Sequence, residues 1–320
     1  MQNKILVTGT IPLEWAGELK DSSEIIIWES EADYLMPREK VMEVIGKFDA
    51  IINFAELRVD VDLLSQAHKL RIVSNASIGY DNLDLDVLSR KKIWACNSPG
   101  FFNYATAEYI FGGMLILSRK MHEADRFVRR KQWKTFEPGR WDGRSLKYQV
   151  LGIIGMGAIG KELASMACCM GMEVIYFDKY ENSLPGFTGL KELMAISDFI
   201  SVNVPLNDST RDMVDESFFK MMKEGAIFIN TSRGGVVDEH ALIRRLETQE
   251  LAGAILDVFR DEPVVPAVLM EMDNVLITPH MAGGTKTSRK FSFRNAFLNI
   301  QDVFEGKKPR NALNTIGDDN

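Results

Sequence analysis

The side chains in this chain best suited to anion binding and proton transfer are Arg233, Glu262 and His280, each in a segment that follows an apolar run of strand type. An arginine can fork onto a carboxylate and polarise the carbonyl next to it. Histidine changes charge near neutral pH, and a neighbouring carboxylate such as Glu262 raises its pKa. His280 would then donate a proton to a developing alkoxide. A surface arginine in a turn and a structural histidine are the alternatives.

A glycine-rich turn lies upstream of these residues, where Gly155, Gly157 and Gly160 directly follow the apolar run 150–154. The first glycine permits the tight turn, the second lets a pyrophosphate approach the backbone, and the third lets the next helix pack close to the sheet. The N–H groups and positive dipole end at the start of that helix attract phosphates. We therefore expect phosphate contacts at the first helical residues, Ala158 and Ile159.

Two acidic residues complete the predicted dinucleotide site. Asp178 ends the next apolar run, where its carboxylate would accept hydrogen bonds from ribose hydroxyls and repel a 2′-phosphate. The pattern predicts NAD as cofactor, in preference to NADP. Asp257, at the end of a later strand, is a candidate for the nicotinamide amide, with a helix cap as the alternative.

The elements that position these residues are two series of short apolar strands that alternate with amphipathic stretches. Such alternation predicts parallel sheets covered by helices, and hence two doubly wound α/β units in tandem. Ligands of such folds bind at the carboxyl edge of the sheet. The expected strands are 5–7, 25–28, 50–53, 72–74 and 93–96, then 150–154, 174–177, 199–204, 226–230, 254–258 and 275–278.

Composition narrows the class of protein. A length of 320 residues predicts two domains, and 46% hydrophobic with 26% charged residues is ordinary for a soluble protein. The net charge of −7 argues against nucleic acid as a partner, and the basic segment 119–147 is diluted by acids. No apolar stretch predicts a membrane span or a signal peptide, so we expect a cytoplasmic protein. Cys168 and Cys169 match no metal pattern and are expected to be buried structural thiols.

These segments, taken in order, resemble the D-isomer-specific 2-hydroxyacid dehydrogenase family. The likeness covers nearly the whole chain, and several ordered motifs are far more specific than any one of them. The matching motifs are the glycine loop with Asp178, Asn230-Thr231-Ser232-Arg233-Gly234-Gly235, Asp257-Val258-Phe259 leading to Glu262-Pro263, and Thr278-Pro279-His280-Met281-Ala282-Gly283-Gly284. The likeness to the family extends to residues 76–82 in the first domain and residues 103–108 at the connection between the domains.

The resemblance implies a role for each matching residue. Arg233 would bind a 2-oxo acid, His280 would transfer the proton, and Glu262 would pair with His280. The backbone around Ser77, Ile78 and Gly79 would hold the substrate carboxylate. Contacts to the nicotinamide or phosphates would come from Thr106, Pro205, Thr231 and Asp257.

The resemblance also implies the architecture and the activity. A flavodoxin-like substrate domain, residues 1–98 and 286–320, would accompany a Rossmann cofactor domain, residues 99–285, in a homodimer built largely on the cofactor domain. The implied activity is NAD-dependent interconversion of a 2-oxo acid and a D-2-hydroxy acid, of the glyoxylate or hydroxypyruvate, D-lactate or phosphoglycerate type. The alternative is an NADH-responsive corepressor-like binding protein on the same scaffold.

Overall fold

A computed structural model describes residues 2–12, 14–15, 23–31 and 33–317. The chain divides into two compact units, residues 1–102 with 285–320, and residues 103–284. Each unit is built on a sheet whose strands are all parallel, which confirms the predicted fold class.

The strands and helices alternate along both units. The strands are β1 Lys4–Val7, β2 Glu24–Ile27, β3 Ala50–Asn53, β4 Ile72–Asn75, β5 Trp94–Cys96, β6 Val150–Ile154, β7 Glu173–Phe177, β8 Phe199–Val202, β9 Ala226–Asn230, β10 Leu251–Leu256 and β11 Val275–Ile277. The helices are α1 Arg38–Val44, α2 Val61–Gln66, α3 Leu85–Arg90, α4 Asn103–Ser118, α5 Met121–Arg129, α6 Ala158–Cys169, α7 Leu190–Ile196, α8 Glu216–Met221, α9 Glu239–Glu247, α10 Ala267–Glu271 and α11 Lys286–Phe304.

The first unit has the strand order β2-β1-β3-β4-β5. Alternate residues of β1 point to opposite faces, so Leu6 packs with α1, α2 and α3, whereas Ile5 and Val7 pack with α11. Thr285 caps α11 by accepting a hydrogen bond from the N–H of Ser288 at 3.0 Å. The C-terminal helix therefore packs against the first sheet.

The second unit has the strand order β7-β6-β8-β9-β10-β11. Helices α4 and α6 contribute apolar side chains to one face of this sheet, and α7 to α10 contribute them to the other. Because all strands are parallel, the loops after β6, β8, β9, β10 and β11 leave the sheet at one edge. The sequence order reverses between β6 and β8, which is where ligands of such sheets bind.

The cysteines of α6 contradict the sequence-based expectation. Leu163 and Ala167, spaced as one helical face, are buried, whereas Cys168 and Cys169 are exposed. The next two residues after Ala167 are rotated about 100° and 200° away from the buried stripe. The third cysteine, Cys96, is buried on β5.

Of the helices in the described residues, none is both long and apolar enough to cross a membrane.

Candidate active site

An ion pair joins His280 and Glu262 at the carboxyl edge of the second sheet. His280 Nδ1 lies 2.8 Å from Glu262 Oε2. The other carboxylate oxygen, Oε1, accepts a hydrogen bond from the N–H of Phe259 at 2.9 Å. The carboxylate is thus held by the backbone of its own loop while it contacts the imidazole ring.

The electrostatics favour the charged form of both partners. The hydrogen bond that the imidazolium of His280 donates to Glu262, opposed by burial and by the charge of Arg233, raises the pKa of His280 above its ordinary value of 6.5. Burial pushes the pKa of Glu262 upward, but the hydrogen bond and charge of His280, the N–H of Phe259 and the charge of Arg233 hold it below its ordinary value. The imidazole side chain keeps 38% of its surface exposed, so a reactant can reach it.

The backbone at His280 is held in an unusual conformation. Its φ of 49° lies in the left-handed region, which non-glycine residues adopt only when other contacts enforce it. The N–H of His280 donates to the carbonyl of Asp257 at 2.8 Å, which ties the loop after β11 to the end of β10. The conformation of the histidine is therefore set by the neighbouring strand.

Arg233 leaves β9 in a turn that is fixed by Asn230. The buried Asn230 side chain donates to the carbonyl of Arg233 at 3.0 Å and accepts from the N–H of Ser232 at 3.0 Å. The following Gly234 packs so tightly on the backbone of Phe259 that a Cβ would lie 1.9 Å from its carbonyl carbon. Only glycine fits there, so the turn with Arg233 is locked to the loop that carries Glu262.

The glycine loop after β6 provides an open cradle at the start of a helix. A Cβ on Gly160 would lie 2.4 Å from the carbonyl oxygen of Gly155, which enforces the close packing predicted for the third glycine. No atom lies within 4 Å of the position that a Cβ of Gly157 would occupy. The first N–H groups of α6, at Ala158 and Ile159, lack acceptors within the helix. The loop fits the pyrophosphate of a dinucleotide.

Asp178 lies directly beside that loop. Its Oδ2 accepts from the N–H of Met156 at 2.8 Å, and its Oδ1 accepts from the N–H groups of Tyr180 at 2.7 Å and Glu181 at 3.0 Å. Burial raises the pKa of Asp178, but these N–H groups and the charge of Lys161 outweigh it and hold the pKa low. The carboxylate is negative at neutral pH and keeps lone-pair capacity for a ribose hydroxyl.

The remaining predicted cofactor residues lie on elements of the same unit. Thr106 is buried in α4, and Thr231 follows β9 and is half-buried. Pro205 follows β8 and is exposed, and its carbonyl accepts a hydrogen bond from the Thr210 hydroxyl at 2.6 Å. Asp257 is almost fully buried after β10, with its carboxylate bonded to the loop after β11. Their contacts with a cofactor stay a prediction.

Ser77, Ile78 and Gly79 lie in the first unit, in the loop after β4. Their carbonyl oxygens accept hydrogen bonds from the N–H of Ser98 at 2.8 Å, the side chain of Asn97 at 2.8 Å and the side chain of Asn75 at 3.0 Å, respectively. Within the described residues, the N–H groups of Ile78 and Gly79 donate to no protein atom. Successive N–H groups of this kind suit an anion, and the binding of a substrate carboxylate by this loop stays a prediction.

Sequence reasoning missed Tyr109, which the structure places beside the same edge of the second sheet. Its hydroxyl hydrogen-bonds the side chain of Thr278, two residues before His280. The available signal was a tyrosine beside the apolar run 110–117 of helix α4, because a buried phenol usually has a polar partner.

Comparison with known proteins identifies the group to which this arrangement belongs. The sequence profile of the D-isomer specific 2-hydroxyacid dehydrogenase NAD binding domain matches residues 111–282. The chain belongs to this family. A glyoxylate reductase of Thermococcus litoralis is 36% identical, with 98% of this chain and 97% of that protein aligned.

Solved structures of similar proteins have the same fold. A protein of Thermus thermophilus superposes with a TM-score of 0.91 at 31% identity, over 97% of this chain and 99% of that one. An NADPH-dependent glyoxylate/hydroxypyruvate reductase of Sinorhizobium meliloti, solved with NADP and malonate, superposes with a TM-score of 0.82 at 26% identity, over 98% and 97% of the chains.

This protein is therefore an NAD(P)-dependent oxidoreductase that interconverts a 2-oxo acid and a 2-hydroxy acid and acts on a CH–OH group. Its dinucleotide domain has the Rossmann architecture. The comparisons give no support to the corepressor-like alternative.

Proposed function

We propose that this dehydrogenase reduces glyoxylate, or a similarly small 2-oxo acid, to the D-2-hydroxy acid, with His280 as the proton donor. The observation that carries the proposal is the 2.8 Å contact between His280 Nδ1 and Glu262 Oε2. It supplies a protonated imidazole at the edge of the sheet that holds the dinucleotide loop. The small substrate is favoured by the glyoxylate reductases among its relatives.

The hydrogen bonds of His280 define which atom reacts. Glu262 engages Nδ1, so the proton available for transfer is the one on Nε2. When bound, the reduced nicotinamide supplies the hydride to the keto carbon. The imidazolium donates its Nε2 proton to the oxygen as negative charge develops there, and Glu262 stabilises the imidazolium until that point. In the reverse direction neutral His280 takes the hydroxyl proton.

We assign the 2-oxo acid contact to Arg233. The guanidinium can bind a carboxylate through two N–H groups and polarise the adjacent carbonyl, which raises its reactivity toward hydride. Its charge also lowers the pKa of Glu262, so Arg233 helps to keep the histidine's partner ionised. The N–H groups of Ile78 and Gly79 in the first unit are the second candidate for a carboxylate.

NAD rather than NADP is the proposed cofactor of choice, because Asp178 is ionised. A negative carboxylate beside the glycine loop accepts hydrogen bonds from the ribose hydroxyls but repels a 2′-phosphate. A relative of Sinorhizobium meliloti is NADPH-dependent, so we propose Asp178 as the residue that sets the preference for NAD in this chain.

A homodimer is the third part of the proposal. The segment after α5 exposes large apolar side chains, with 62% of Trp133 and 81% of Phe136 accessible. Large apolar side chains exposed this close together in the sequence mark a candidate interface with another protein. A second copy of the chain is the occupant that the family resemblance implies. Sedimentation should give a dimer for the wild type and a monomer for Phe136→Asp.

A cytoplasmic location, where NADH and 2-oxo acids are both available, completes the proposal and is checked by cell fractionation.

The test of the activity is oxidation of NADH and NADPH, followed by absorbance, with a panel of 2-oxo acids. The panel includes glyoxylate, hydroxypyruvate, pyruvate, phosphohydroxypyruvate and a bulky aromatic oxo acid. We expect the highest kcat/KM with glyoxylate or hydroxypyruvate and NADH. A clear preference for the aromatic or phosphorylated acid would overturn the substrate assignment.

A further inference from the structure

A chain of hydrogen bonds connects helix α4 to the loop that carries His280. Tyr109 Oη is hydrogen-bonded to Thr278 Oγ1, and Thr278 Oγ1 donates to Asp257 Oδ1 at 2.6 Å. Thr278 directly follows β11, and Asp257 directly follows β10. All three residues belong to the second unit.

The direction of the protons in this chain follows from the donors available. An ionised carboxylate only accepts hydrogen bonds, so the single hydroxyl hydrogen of Thr278 is committed to Asp257. The hydrogen between the two hydroxyl oxygens must then come from Tyr109. Burial raises the pKa of Tyr109 to about 12, so the phenol keeps its proton at neutral pH. Tyr109 is therefore a permanent donor at the outer end of the chain.

Asp257 is the point where this chain meets the catalytic loop. Only 1% of Asp257 is exposed, and a buried carboxylate is tolerated only with a full set of donors. Besides Thr278, it accepts from the N–H of Met281 at 2.8 Å and the N–H of Ala282 at 2.7 Å. Its own carbonyl accepts from the N–H of His280 at 2.8 Å. Residues before and after His280 are therefore hydrogen-bonded to the carboxylate of Asp257, and His280 itself is bonded to the Asp257 carbonyl.

We propose that Tyr109 is a positioning residue for the proton donor: through Thr278 and Asp257 it fixes the loop that presents His280 to Glu262. The inference rests on the proposed role of His280 as the acid. It assigns a function to a helix residue that lies 171 positions earlier in the chain. The apolar surroundings of Tyr109 on α4 explain why the phenol has this partner: its neighbours in the packing are hydrocarbon side chains.

The first experiment compares Tyr109→Phe, Thr278→Val, the double variant and Thr278→Ser. We expect kcat for glyoxylate reduction to fall about fivefold in Tyr109→Phe and about tenfold or more in Thr278→Val, where Asp257 also loses a donor. Thr278→Ser keeps the hydroxyl and should stay within about twofold of wild type. KM for NADH should be unchanged in Tyr109→Phe, because this variant leaves the hydrogen bonds of Asp257 in place.

The double variant shows whether Tyr109 acts through Thr278. If it does, Tyr109→Phe adds less than about twofold to the loss already caused by Thr278→Val. A multiplied loss in the double variant would overturn the proposal, because Tyr109 would then act by a separate route. The matched control is Tyr148→Phe, which removes a phenol hydroxyl from a residue of the same unit that is 79% exposed. It should leave kcat unchanged.

The second experiment measures the ring of His280 without turnover. The chain has 4 histidines, so the His280 resonance can be assigned by its loss in His280→Gln and titrated by NMR. We expect its pKa to be lower in Tyr109→Phe and in Thr278→Val than in wild type, because a looser loop weakens the contact with Glu262. Thermal melts check that each variant is folded.

The outcomes separate this inference from the proposed function. An unchanged kcat and an unchanged titration of His280 in folded Tyr109→Phe would overturn the positioning role. Full turnover in His280→Gln would instead overturn the assignment of the acid. In that case the NMR comparison of wild type with Tyr109→Phe still decides whether Tyr109 positions the ring.

Discussion

Nδ1 of His280 lies 2.8 Å from Oε2 of Glu262, and the second oxygen of that carboxylate is bound to the backbone at 2.9 Å. The carboxylate cannot rotate freely, so it presents one oxygen to the imidazole. This contact fixes the ring orientation and directs Nε2 away from Glu262. The chemistry expected of the site depends on that geometry.

Replacing His280 removes the proton donor and leaves the dinucleotide loop untouched. We expect His280→Gln to lower kcat by at least ~100-fold, the usual scale of general acid catalysis, with NADH affinity nearly unchanged. Steady-state kinetics and a fluorescence titration of NADH measure the two quantities. As a control, His240→Gln alters a histidine at the exposed start of α9 and should behave as wild type. Normal turnover in His280→Gln would show that another group supplies the proton.

Glu262→Gln should shift the pH profile in a defined direction. The amide oxygen can still accept from Phe259, but its NH₂ group then faces Nδ1 and favours neutral imidazole, so the pKa of His280 falls. Reduction needs the imidazolium, and in wild type it declines as the pH rises through a pKa above 6.5. In the variant this decline should begin at a lower pH. The rise in the rate of oxidation with pH should move the same way.

Profiles of kcat/KM against pH in both directions check this prediction. Glu247→Gln, which removes an exposed acid at the end of α9, is the control and should leave the profile in place. An identical profile in Glu262→Gln would mean that the acidic group responsible for the pH dependence is not His280.

Arg233→Lys tests the two-pronged contact with the 2-oxo acid. Lysine keeps the charge but cannot donate two parallel hydrogen bonds, so we expect kcat/KM for the oxo acid to fall roughly 100-fold. The KM for NADH should change little. Arg244→Lys conserves charge in an exposed ion pair with Glu216 and serves as control. A kcat/KM close to wild type in Arg233→Lys would argue that the charge alone suffices.

Asp178→Asn tests the choice of nucleotide. The amide oxygen can replace one acceptor of the carboxylate while the negative charge is lost, so repulsion of a 2′-phosphate is relieved. We expect the ratio of kcat/KM for NADH over NADPH to fall at least ~10-fold. Asp142→Asn, an exposed acid in the same unit, should leave the ratio unchanged. A constant ratio in Asp178→Asn would place the selectivity elsewhere.

Local patterns were sufficient for the strands, the glycine loop and the pairing of Glu262 with His280. Apolar runs are sufficient to predict strands. The loops that carry Glu262 and His280 follow neighbouring parallel strands, whose carboxyl ends must meet at one edge of the sheet. The exposure of Cys168 and Cys169 was not predictable in this way. A helix can turn either side of its C-terminal turn toward solvent, and only the packing of Leu163 and Ala167 decided which.

The sequence by itself determined the class of chemistry, because a dinucleotide loop, an arginine and a histidine with an acid nearby are properties of residue type and spacing. Only the tertiary structure decided how the histidine is held. The link from Tyr109 to His280 joins helix α4 to the ends of β10 and β11, which lie more than a hundred residues later in the chain. Hydrogen bonds between such distant elements depend on how the elements pack. Side-chain directions across a sheet edge are fixed by that packing, which no local pattern records.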